Sequence, residues 1–188
     1  MVIAGVDEAG RGSLVGPVVA GAVIMDERFL FSCPYIKDSK CLSAFQREIA
    51  FEFICKNAIS ISVGVVSHHF IDKYNILKAS LEAMKRAVQG LSIRPDLLLV
   101  DGNYAIPLSI PQKCIKKGDK INKLISAASI VAKVYRDRIM LAYHNDYPVY
   151  NLVKNKGYPT KEHKERLKKF GPSPIHRLSY KGVNKVEA

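Results

Sequence analysis

Three acidic residues stand where apolar segments of the sequence end. Asp7 and Glu8 follow the short apolar run Val2–Val6, and Asp101 closes the apolar segment Asp96–Asp101. Neighbouring carboxylates repel each other, so such a group is stable when something positive lies between its members. Carboxylate oxygens are the ligands that Mg²⁺ prefers, and no His or Cys stands nearby to favour zinc. If the two segments are neighbouring strands, their ends together form a magnesium site.

A fourth acid would complete a site for two metal ions, which lie about 3.5–4 Å apart in enzymes that hydrolyse phosphate esters. Two residues are candidates for this position. Asp119 follows Gly118 in a lysine-rich turn that could carry it to the other acids. Asp137 stands four residues after Lys133 in a predicted helix, where a helical ion pair is the simpler explanation. The spacing favours Asp119 and leaves Asp137 as the alternative.

The segment after Glu8 is rich in glycine. Gly10, Gly12 and Gly16 form a Gly-x-Gly-x-x-x-Gly pattern, which loosely matches the turn that binds dinucleotide phosphates. That turn requires a helix directly after the glycines, whereas the β-branched segment Val15–Met25 predicts a strand. We therefore interpret the glycines as a tight turn beside the acids, and not as a nicotinamide or flavin site.

The periodicity of the chain predicts an α/β fold that places these acids at strand ends. The predicted strands are Val2–Val6, Val15–Met25, Ile59–Val66, Asp96–Asp101 and Lys113–Ile115. The predicted helices are Ala44–Lys56, Asn75–Gln89, Ile121–Tyr147 and Lys161–Phe170, with a short further element around Pro174–Tyr180. This order predicts a mixed sheet with helices on both faces. Residues 1–150 would form the core, and residues 151–188 a basic helical extension packed on the same single domain.

Two of these helices have predicted apolar faces. The face of the first helix is expected to hold Phe45, Ile49 and Phe53, after an N-cap at Ser43. The face of the long helix is expected to hold Ile121, Leu124, Ala128, Val131 and Tyr135.

The charge of the chain is concentrated in two segments. The formal net charge is +12 over 188 residues, yet residues 1–112 balance 11 basic side chains against 11 acidic ones. Residues 113–123 carry five Lys against one Asp, and residues 151–188 carry ten Lys or Arg against three Glu. Local excess of this kind indicates a polyanionic partner such as nucleic acid.

Other features of the sequence exclude some classes of protein. No apolar run approaches the ~18 residues of a membrane span, and the first residues do not form a signal peptide. Cys33, Cys41, Cys55 and Cys114 show neither disulfide nor zinc spacing. We expect a cytoplasmic protein with reduced cysteines, acting as a monomer.

Polar and basic residues recur on single helix faces. Ser126, Ser129, Lys133 and Arg136 share one face of the long helix, and Lys161, Lys164 and Lys168 share one side of the last helix. This pattern suits phosphate contacts, although a solvated face has the same appearance. Arg11, Lys40 and Arg177 could extend the basic surface. His176 has two interpretations, a phosphate contact or a packing residue.

Seven blocks of the sequence resemble the ribonuclease HII family and occur in the family's order. They are Asp7–Gly12 (DEAGRG), Asp38–Lys40 (DSK), Val100–Gly102 (VDG), Lys117–Asp119 (KGD), Ser126–Asp137 (SAASIVAKVYRD), Lys156–Thr160 (KGYPT) and His176–Tyr180 (HRLSY). Together they span nearly the whole chain. Ser13, Val15 and Tyr180 depart from the Pro, Ala and Phe that relatives commonly have, all outside the expected ligands.

This resemblance implies a ribonuclease H-like fold with two Mg²⁺ or Mn²⁺ ions on Asp7, Glu8, Asp101 and Asp119. It implies an endonuclease that hydrolyses the RNA strand of RNA–DNA hybrids. It also implies cutting on the 5′ side of single ribonucleotides in duplex DNA, leaving 3′-hydroxyl and 5′-phosphate ends. Such an enzyme works in the removal of misincorporated ribonucleotides and RNA primers.

The resemblance also implies how the substrate is recognised. The backbone of Gly10, Arg11 and Gly12 together with Tyr158 would read the RNA–DNA junction. Only the 2′-hydroxyl distinguishes RNA from DNA at one position, so close backbone approach is needed there. The remaining expected substrate contacts are Lys40, Ser126, Ser129, Lys133 and Arg177.

Two other functions stay open from the residues themselves. A non-catalytic basic protein would bind hybrids or DNA in a salt-sensitive and metal-independent way. Another nuclease or recombinase on the same fold would cut at DNA-only junctions, since a fold does not determine a substrate.

Overall fold

The structure, a computed structural model, describes residues 1–184 as a five-stranded sheet covered by helices. Its strands are β1 (Ile3–Ala9), β2 (Val18–Ile24), β3 (Ser60–Val66), β4 (Leu97–Asp101) and β5 (Gln112–Ile115). Its α-helices are α1 (Glu27–Ser32), α2 (Ala44–Asn57), α3 (His68–Tyr74), α4 (Ile76–Gln89), α5 (Gly118–Ile121), α6 (Lys123–Asp146), α7 (Leu152–Asn155) and α8 (Lys161–Phe170). Short 3-10 helices cover Ser39–Cys41 and Pro148–Tyr150. The predicted α/β class is confirmed, while α1, α3, α5 and α7 are additions.

The central strand β1 brings two of the acidic segments together. The strands follow the order β3-β2-β1-β4-β5, with β1 antiparallel to β2 and parallel to β4. Val6 on β1 pairs with Val100 on β4. Because these two strands run in the same direction, their C-terminal ends meet at one edge of the sheet. Asp7 and Asp101 each follow the paired valines by one residue, so they lie at neighbouring positions there.

Helix α6 packs very closely on the middle of the sheet, and glycines make this possible. A Cβ atom on Gly5 would lie 2.4 Å from the carbonyl oxygen of Leu124, and one on Gly21 would lie 2.5 Å from that of Ala128. Only residues without a Cβ allow a helix backbone to approach a strand so closely. This approach places Ser129 close enough to Asp7 for its hydroxyl to lower the pKa of that carboxyl.

Apolar clusters cover both faces of the sheet. On one face, Ala79, Ala83 and Ala87 of α4 pack against the strands. On the other face, α6 packs between the sheet and α2. The sheet covered by helices on both faces therefore agrees with the prediction.

The predicted apolar faces of α2 and α6 need correction. Phe45 on α2 is 76% exposed, and the buried side chains of this helix are Ala50, Phe51 and Ile54. Ile121 is 74% exposed because it ends α5, whereas α6 begins at Lys123 after its N-cap residue Asn122. The cause is similar in both cases: neighbouring elements decide which side of a helix is covered. The N-cap of α2 is Ser43, as predicted, and Gln46 completes a capping box with it.

The segment after residue 150 shares an apolar cluster with the earlier part of the chain. This cluster consists of Leu14, Val15, Met140, Tyr150, Leu152, Leu167, Ile175 and Val183. Helix α8 has the predicted bounds, whereas Pro174–Tyr180 forms turns with one β-bridge between His176 and Val15. The cluster joins residues from both sides of residue 150, and the extension over residues 151–188 stays a prediction. Residues 185–188 of that extension lie outside the described residues.

Two expectations from composition can be compared with the structure. Cys33, Cys41, Cys55 and Cys114 are free thiols. Within residues 1–184, no helix combines the length and the apolar character that crossing a membrane requires.

Candidate active site

A cleft of about 350 Å³ opens where β1 and β4 end. Ten of the thirteen residues predicted for the site line it, namely Asp7, Glu8, Gly10, Arg11, Gly12, Lys40, Asp101, Ser129, Lys133 and Tyr158. The other three, Asp119, Ser126 and Arg177, are buried around it. The cleft therefore joins the acidic strand ends to the glycine turn, the DSK segment and the KGYPT segment.

The acids at the strand ends are held by local hydrogen bonds. The backbone N–H of Glu8 donates to Asp7 Oδ1 at 2.7 Å. Side chains of successive strand residues point to opposite faces, so Asp7 faces Ser129 on α6 while Glu8 turns towards Arg11. On β4, Asp101 Oδ1 accepts a hydrogen bond from the backbone N–H of Gly118 at 2.6 Å. This bond ties the start of α5 to the acidic cluster.

The two candidates for the fourth acid have different surroundings in the structure. Asp119 on α5 is 3% exposed and follows directly after Gly118, so its charge lies close enough to act on Asp101. Its Oδ2 atom lies 3.2 Å from Lys40 Nζ. Asp137 instead forms ion pairs with Lys133 at 2.7 Å and with Arg47 at 3.6 Å. The geometry therefore favours Asp119 and gives Asp137 the structural role of an ion pair.

Burial and mutual repulsion make the cluster unfavourable for negative charge. Burial raises the pKa of Asp7 well above its usual value, and the charges of Glu8 and Asp101 raise it further. Burial also raises the pKa of Glu8, although Arg11 opposes this, and burial raises the pKa of Asp101. Burial lowers the pKa of Lys40, but its hydrogen bond and attraction to Asp119 outweigh that effect, so its pKa is raised overall. A bound cation would relieve this repulsion.

The donor atoms of the cluster suit a hard divalent cation. Glu8 Oε2 is buried, and no group among residues 1–184 forms a hydrogen bond with it. All four acids offer carboxylate oxygens, the ligand type of Mg²⁺ and Mn²⁺. Within the described residues, no three Asp, Glu, His or Cys side chains stand ready to hold one ion together. Glu8 Oε1 and Asp119 Oδ2 face Arg11 and Lys40, so a bound metal would compete with these two cationic partners.

The glycine turn forms a second wall of the cleft. Gly10 has φ +97°, and a Cβ there would lie 2.0 Å from Arg136 Nε, so only glycine fits this position. At Gly12 no atom lies within 4 Å of the place of a Cβ, which leaves the backbone open to an approaching ligand. The turn thus combines a tightly packed side with an accessible side.

Two buried arginines support this turn from behind. Arg177 donates through Nη1 to the carbonyl oxygen of Arg11 at 3.0 Å and through Nε to that of Gly16 at 2.9 Å. Arg136 donates to the carbonyl oxygens of Val15 and Pro17. Both guanidinium side chains are fully buried. The predicted substrate contact of Arg177 and the phosphate-facing position of Arg136 were therefore wrong, because loop carbonyls occupy their donors.

The residues that depart from the usual family pattern also stabilise this turn. The buried hydroxyl of Ser13 donates to the carbonyl oxygen of Val15 at 3.0 Å. The hydroxyl of Tyr180 donates to the carbonyl oxygen of Arg11 at 2.6 Å. The departures at Ser13 and Tyr180 thus each add a hydrogen bond inside the turn or behind it, whereas the side chain of Val15 is buried in an apolar cluster.

Tyr158 also forms part of the wall of the cleft. It follows Gly157, which has φ +81° and where a Cβ would lie 2.6 Å from Ser13 Oγ, so only glycine fits there. Lys133 Nζ lies 5.3 Å from the centre of the Tyr158 ring, within the range of a cation–π interaction. The ring therefore stands beside an ammonium group on α6 that lines the same cleft.

Comparison with known proteins decides the family. A family model described as Ribonuclease HII matches residues 4–183. The chain belongs to the ribonuclease HII family. Ribonuclease HII of Syntrophus aciditrophicus is 57% identical over 180 residues, which cover 96% of this chain and 84% of the relative.

Solved structures of ribonuclease HII relatives have the same fold. The crystal structure of ribonuclease H2 from Pyrococcus horikoshii has a TM-score of 0.85 at 29% identity, and the match covers 100% of this chain and 97% of that one. The ribonuclease HII in the PCNA:RNase HII complex from Archaeoglobus fulgidus has a TM-score of 0.79 at 28% identity, with 96% of both chains covered. The predicted ribonuclease H-like fold is confirmed. The chain is a ribonuclease H, an endoribonuclease acting on RNA–DNA hybrids.

Near this ribonuclease HII cleft, Ser126 differs from its predicted role and Ser39 has a position that was not predicted. The Ser126 hydroxyl is buried and donates to the carbonyl oxygens of Asp119 and Asn122, so it stabilises the α5–α6 junction and does not line the cleft. Ser39, which the sequence analysis did not select, lines the cleft and lies 3.0 Å from Ser129 through the two Oγ atoms. Its position in the DSK block was the signal that could have identified it.

Proposed function

We propose that this ribonuclease HII cuts on the 5′ side of ribonucleotides, including single ribonucleotides embedded in duplex DNA. The products would carry 3′-hydroxyl and 5′-phosphate ends. The observation that carries the proposal is that one cleft unites the carboxylates of Asp7, Glu8 and Asp101 with the glycine turn and Tyr158. Acids for hydrolysis and two elements for sugar recognition thus face the same space.

The proposed chemistry depends on divalent metal ions held by Asp7, Glu8, Asp101 and Asp119. Two bound Mg²⁺ or Mn²⁺ ions would supply an activated water on one side of the phosphate and stabilise the leaving oxygen on the other. The protein supplies carboxylate ligands on two rigid strands and on a helix tied to β4 through Gly118. The raised pKa values of Asp7, Glu8 and Asp101 support this role, because a cation lowers the cost of their charges.

The glycine turn is proposed to recognise the ribose 2′-hydroxyl through its backbone. The carbonyl oxygen of Arg11 accepts hydrogen bonds from Arg177 and Tyr180, so it points into the protein. In a trans peptide group the N–H points opposite to the carbonyl, so the N–H of Gly12 is directed away from those buried groups. The open space beside Gly12 supports close approach of a sugar there.

The duplex is proposed to lie on the basic residues around the cleft. Lys40, Lys133 and Arg11 line the cleft itself. Lys161, Lys164 and Lys168 on α8 are exposed and follow closely after Tyr158. Phosphate contacts of this kind position a duplex without reading its sequence. RNA–DNA hybrids and ribonucleotide-containing DNA would therefore bind the same surface. The protein would act as a monomer in replication or repair.

The direct test uses an end-labelled DNA duplex that contains one ribonucleotide. The protein is incubated with it in Mg²⁺, in Mn²⁺ and in EDTA, beside an all-DNA duplex of the same sequence. We expect one metal-dependent nick 5′ of the ribonucleotide, and a DNA polymerase should extend the upstream product because it ends in a 3′-hydroxyl. Binding without a nick would indicate a non-catalytic protein, and cutting of the all-DNA duplex would indicate another nuclease.

A further inference from the structure

A continuous chain of hydrogen bonds connects Tyr158 to Ser173 through two buried histidines. His163 Nδ1 lies 2.9 Å from the carbonyl oxygen of Tyr158, and His163 Nε2 lies 3.4 Å from His176 Nε2. His176 Nδ1 in turn lies 2.9 Å from the backbone nitrogen of Ser173 and 2.7 Å from its Oγ atom. The two histidines are at most 1% exposed, and the ring of Tyr150 packs edge-on against them. No member of this hydrogen-bond chain belongs to the acidic cluster.

The two ends of the chain determine which nitrogens carry protons. The carbonyl of Tyr158 can only accept, so His163 must carry its proton on Nδ1. The backbone N–H of Ser173 can only donate, so Nδ1 of His176 must be unprotonated, and the Ser173 hydroxyl can then donate to the same atom. A neutral imidazole has one N–H, so His176 Nε2 donates and His163 Nε2 accepts. A single pair of tautomers therefore gives every donor and acceptor of the hydrogen-bond chain a partner.

The same segment also reaches the glycine turn. His176 is followed by Arg177, whose backbone N–H donates to Leu14 and whose side chain donates to the carbonyl oxygen of Arg11. Consecutive residues thus contact the two walls of the cleft, the Tyr158 wall through His163 and the glycine-turn wall through Arg177. His176 and Arg177 are joined by one peptide bond, so the contacts that they make are held at a fixed separation.

We propose that His163 and His176 are positioning residues for ribonucleotide-junction cleavage, holding the main chain of Tyr158 in register with the glycine turn. This inference rests on the proposed junction-reading role of Tyr158. The carbonyl of Tyr158 also accepts from the backbone N–H of Thr160 at 2.8 Å, and Thr160 caps α8. The His163 bond therefore attaches the turn before α8 to a buried side chain that is itself fixed from the other side by His176.

A role in packing alone has different consequences. A packing defect would lower the stability and would lower cleavage of every substrate by the same factor. Loss of positioning would instead lower cleavage mainly of substrates with an RNA–DNA junction, because these need Tyr158. A continuous RNA–DNA hybrid offers a ribonucleotide at every step and would be affected less. The ratio of kcat/KM for a single-ribonucleotide duplex to that for a continuous hybrid separates the two roles.

The mutational test compares His163→Leu with His163→Asn. Leucine removes the donor to Tyr158, whereas the amide nitrogen of asparagine stands near the place of Nδ1 and can restore it. We expect His163→Leu to lower the substrate ratio about fivefold, as for the loss of one hydrogen bond, and His163→Asn to restore most of it. His69→Leu on α3 is the control, because His69 is exposed and lies outside the chain. Equal losses on both substrates after His163→Leu would overturn the proposal.

Tyr158→Ala distinguishes failure of the inference from failure of the proposed function. An unchanged ratio in Tyr158→Ala removes the junction-reading role and the inference with it. A lowered ratio in Tyr158→Ala, together with an unchanged ratio in His163→Leu, overturns the inference alone.

A spectroscopic test uses the wild-type protein, in which the hydrogen-bond chain is intact. Long-range ¹H–¹⁵N spectra of the wild-type imidazoles distinguish the two neutral tautomers. At pH 7.5 we expect His163 to carry its proton on Nδ1 and His176 on Nε2. The opposite tautomers, or rapid exchange between tautomers at either residue, would contradict the proposed chain.

Discussion

The ammonium group of Lys40 lies 3.2 Å from Oδ2 of Asp119. Asp119 is buried, while 76% of the Lys40 side chain is exposed, so the pair connects a buried acid to the surface of the cleft. A divalent cation beside Asp119 would take over the place of the ammonium group as its partner. Lys40 would then be available to a phosphate of the substrate. The pair would thus link metal binding to substrate binding.

Replacing the two candidate acids should have unequal effects. We expect Asp119→Asn to lower kcat/KM by about 100-fold or more, because mutation even of groups outside a metal's ligand shell costs about 10–100-fold. Asp137→Asn should stay within about tenfold of the wild type, since its partners are Lys133 and Arg47. Steady-state cleavage of a labelled hybrid measures both. A larger loss in Asp137→Asn would reverse the assignment of the fourth acid.

Asp7→Asn should separate catalysis from binding and from stability. The change removes a buried charge whose pKa is raised by burial and by Glu8 and Asp101, so the metal-free variant should unfold at a higher temperature than the wild type. Mg²⁺ should raise the melting temperature of the wild type more than that of the variant. Cleavage should be lost while hybrid binding is retained. Thermal melts in EDTA and in Mg²⁺, with binding in Ca²⁺, test these points, and normal cleavage would remove Asp7 from the site.

Tyr158→Ala should act on single-ribonucleotide substrates more than on continuous hybrids. Contacts of an aromatic ring with a nucleotide contribute about 1–3 kcal/mol, so we expect about a tenfold loss in kcat/KM for the embedded ribonucleotide. Tyr158→Phe keeps the ring and serves as the matched control. Equal rates for Tyr158→Ala and the wild type on the embedded ribonucleotide would refute the junction-reading role.

The basic side of α8 should contribute to the salt dependence of binding. Replacing Lys161, Lys164 and Lys168 together by Gln keeps the buried side chains His163 and Leu167 in place, which truncation of the segment would not. The slope of log K against log salt should fall by up to about 2.7, at about 0.9 for each phosphate that no longer binds a lysine. Fluorescence anisotropy with a labelled hybrid at several salt concentrations measures this slope. An unaltered slope would mean that this side of α8 faces away from the duplex.

The buried histidine pair should make the fold sensitive to acid. Burial lowers the pKa of His176 to about 4 and lowers the pKa of His163. Backbone hydrogen bonds to Tyr158 and Gly157 and the charge of Glu162 oppose the pKa shift in His163, whereas the charges of His163 and His68 add to the pKa shift in His176. The unfolded chain takes up these protons near pH 6.5, so stability is complete above that pH and is lost as the pH falls from about 6.5 towards 4.

Urea unfolding at pH 7 and pH 5 measures this effect. We expect His176 to account for a loss of roughly 1–2 kcal/mol over this interval. The variant His176→Asn keeps an acceptor for the N–H of Ser173 but does not titrate, so its stability should depend less on pH. An equal loss in the variant and the wild type would show that other groups cause the acid sensitivity.

Local patterns in the sequence predicted the fold class and most of the residues that line the cleft. Short apolar runs that end in carboxylates predicted strands that carry Asp7, Glu8 and Asp101 to one edge of a sheet. The family motifs predicted the ribonuclease H-like fold and most residues that line the cleft. Such patterns are informative because strand alternation, helix capping and turn geometry depend on residues close in sequence.

The tertiary structure decided what depends on distant partners. Arg136 and Arg177 have the same appearance in the sequence as exposed bases, yet loop carbonyls close around them and bury them. Asp119 joins the acids because its neighbour Gly118 binds Asp101 from 17 residues away. The chain from Tyr158 through His163 to His176 likewise exists only after α8 folds back on the core. Burial and long-range hydrogen bonds are properties of the packed chain, and no local pattern contains them.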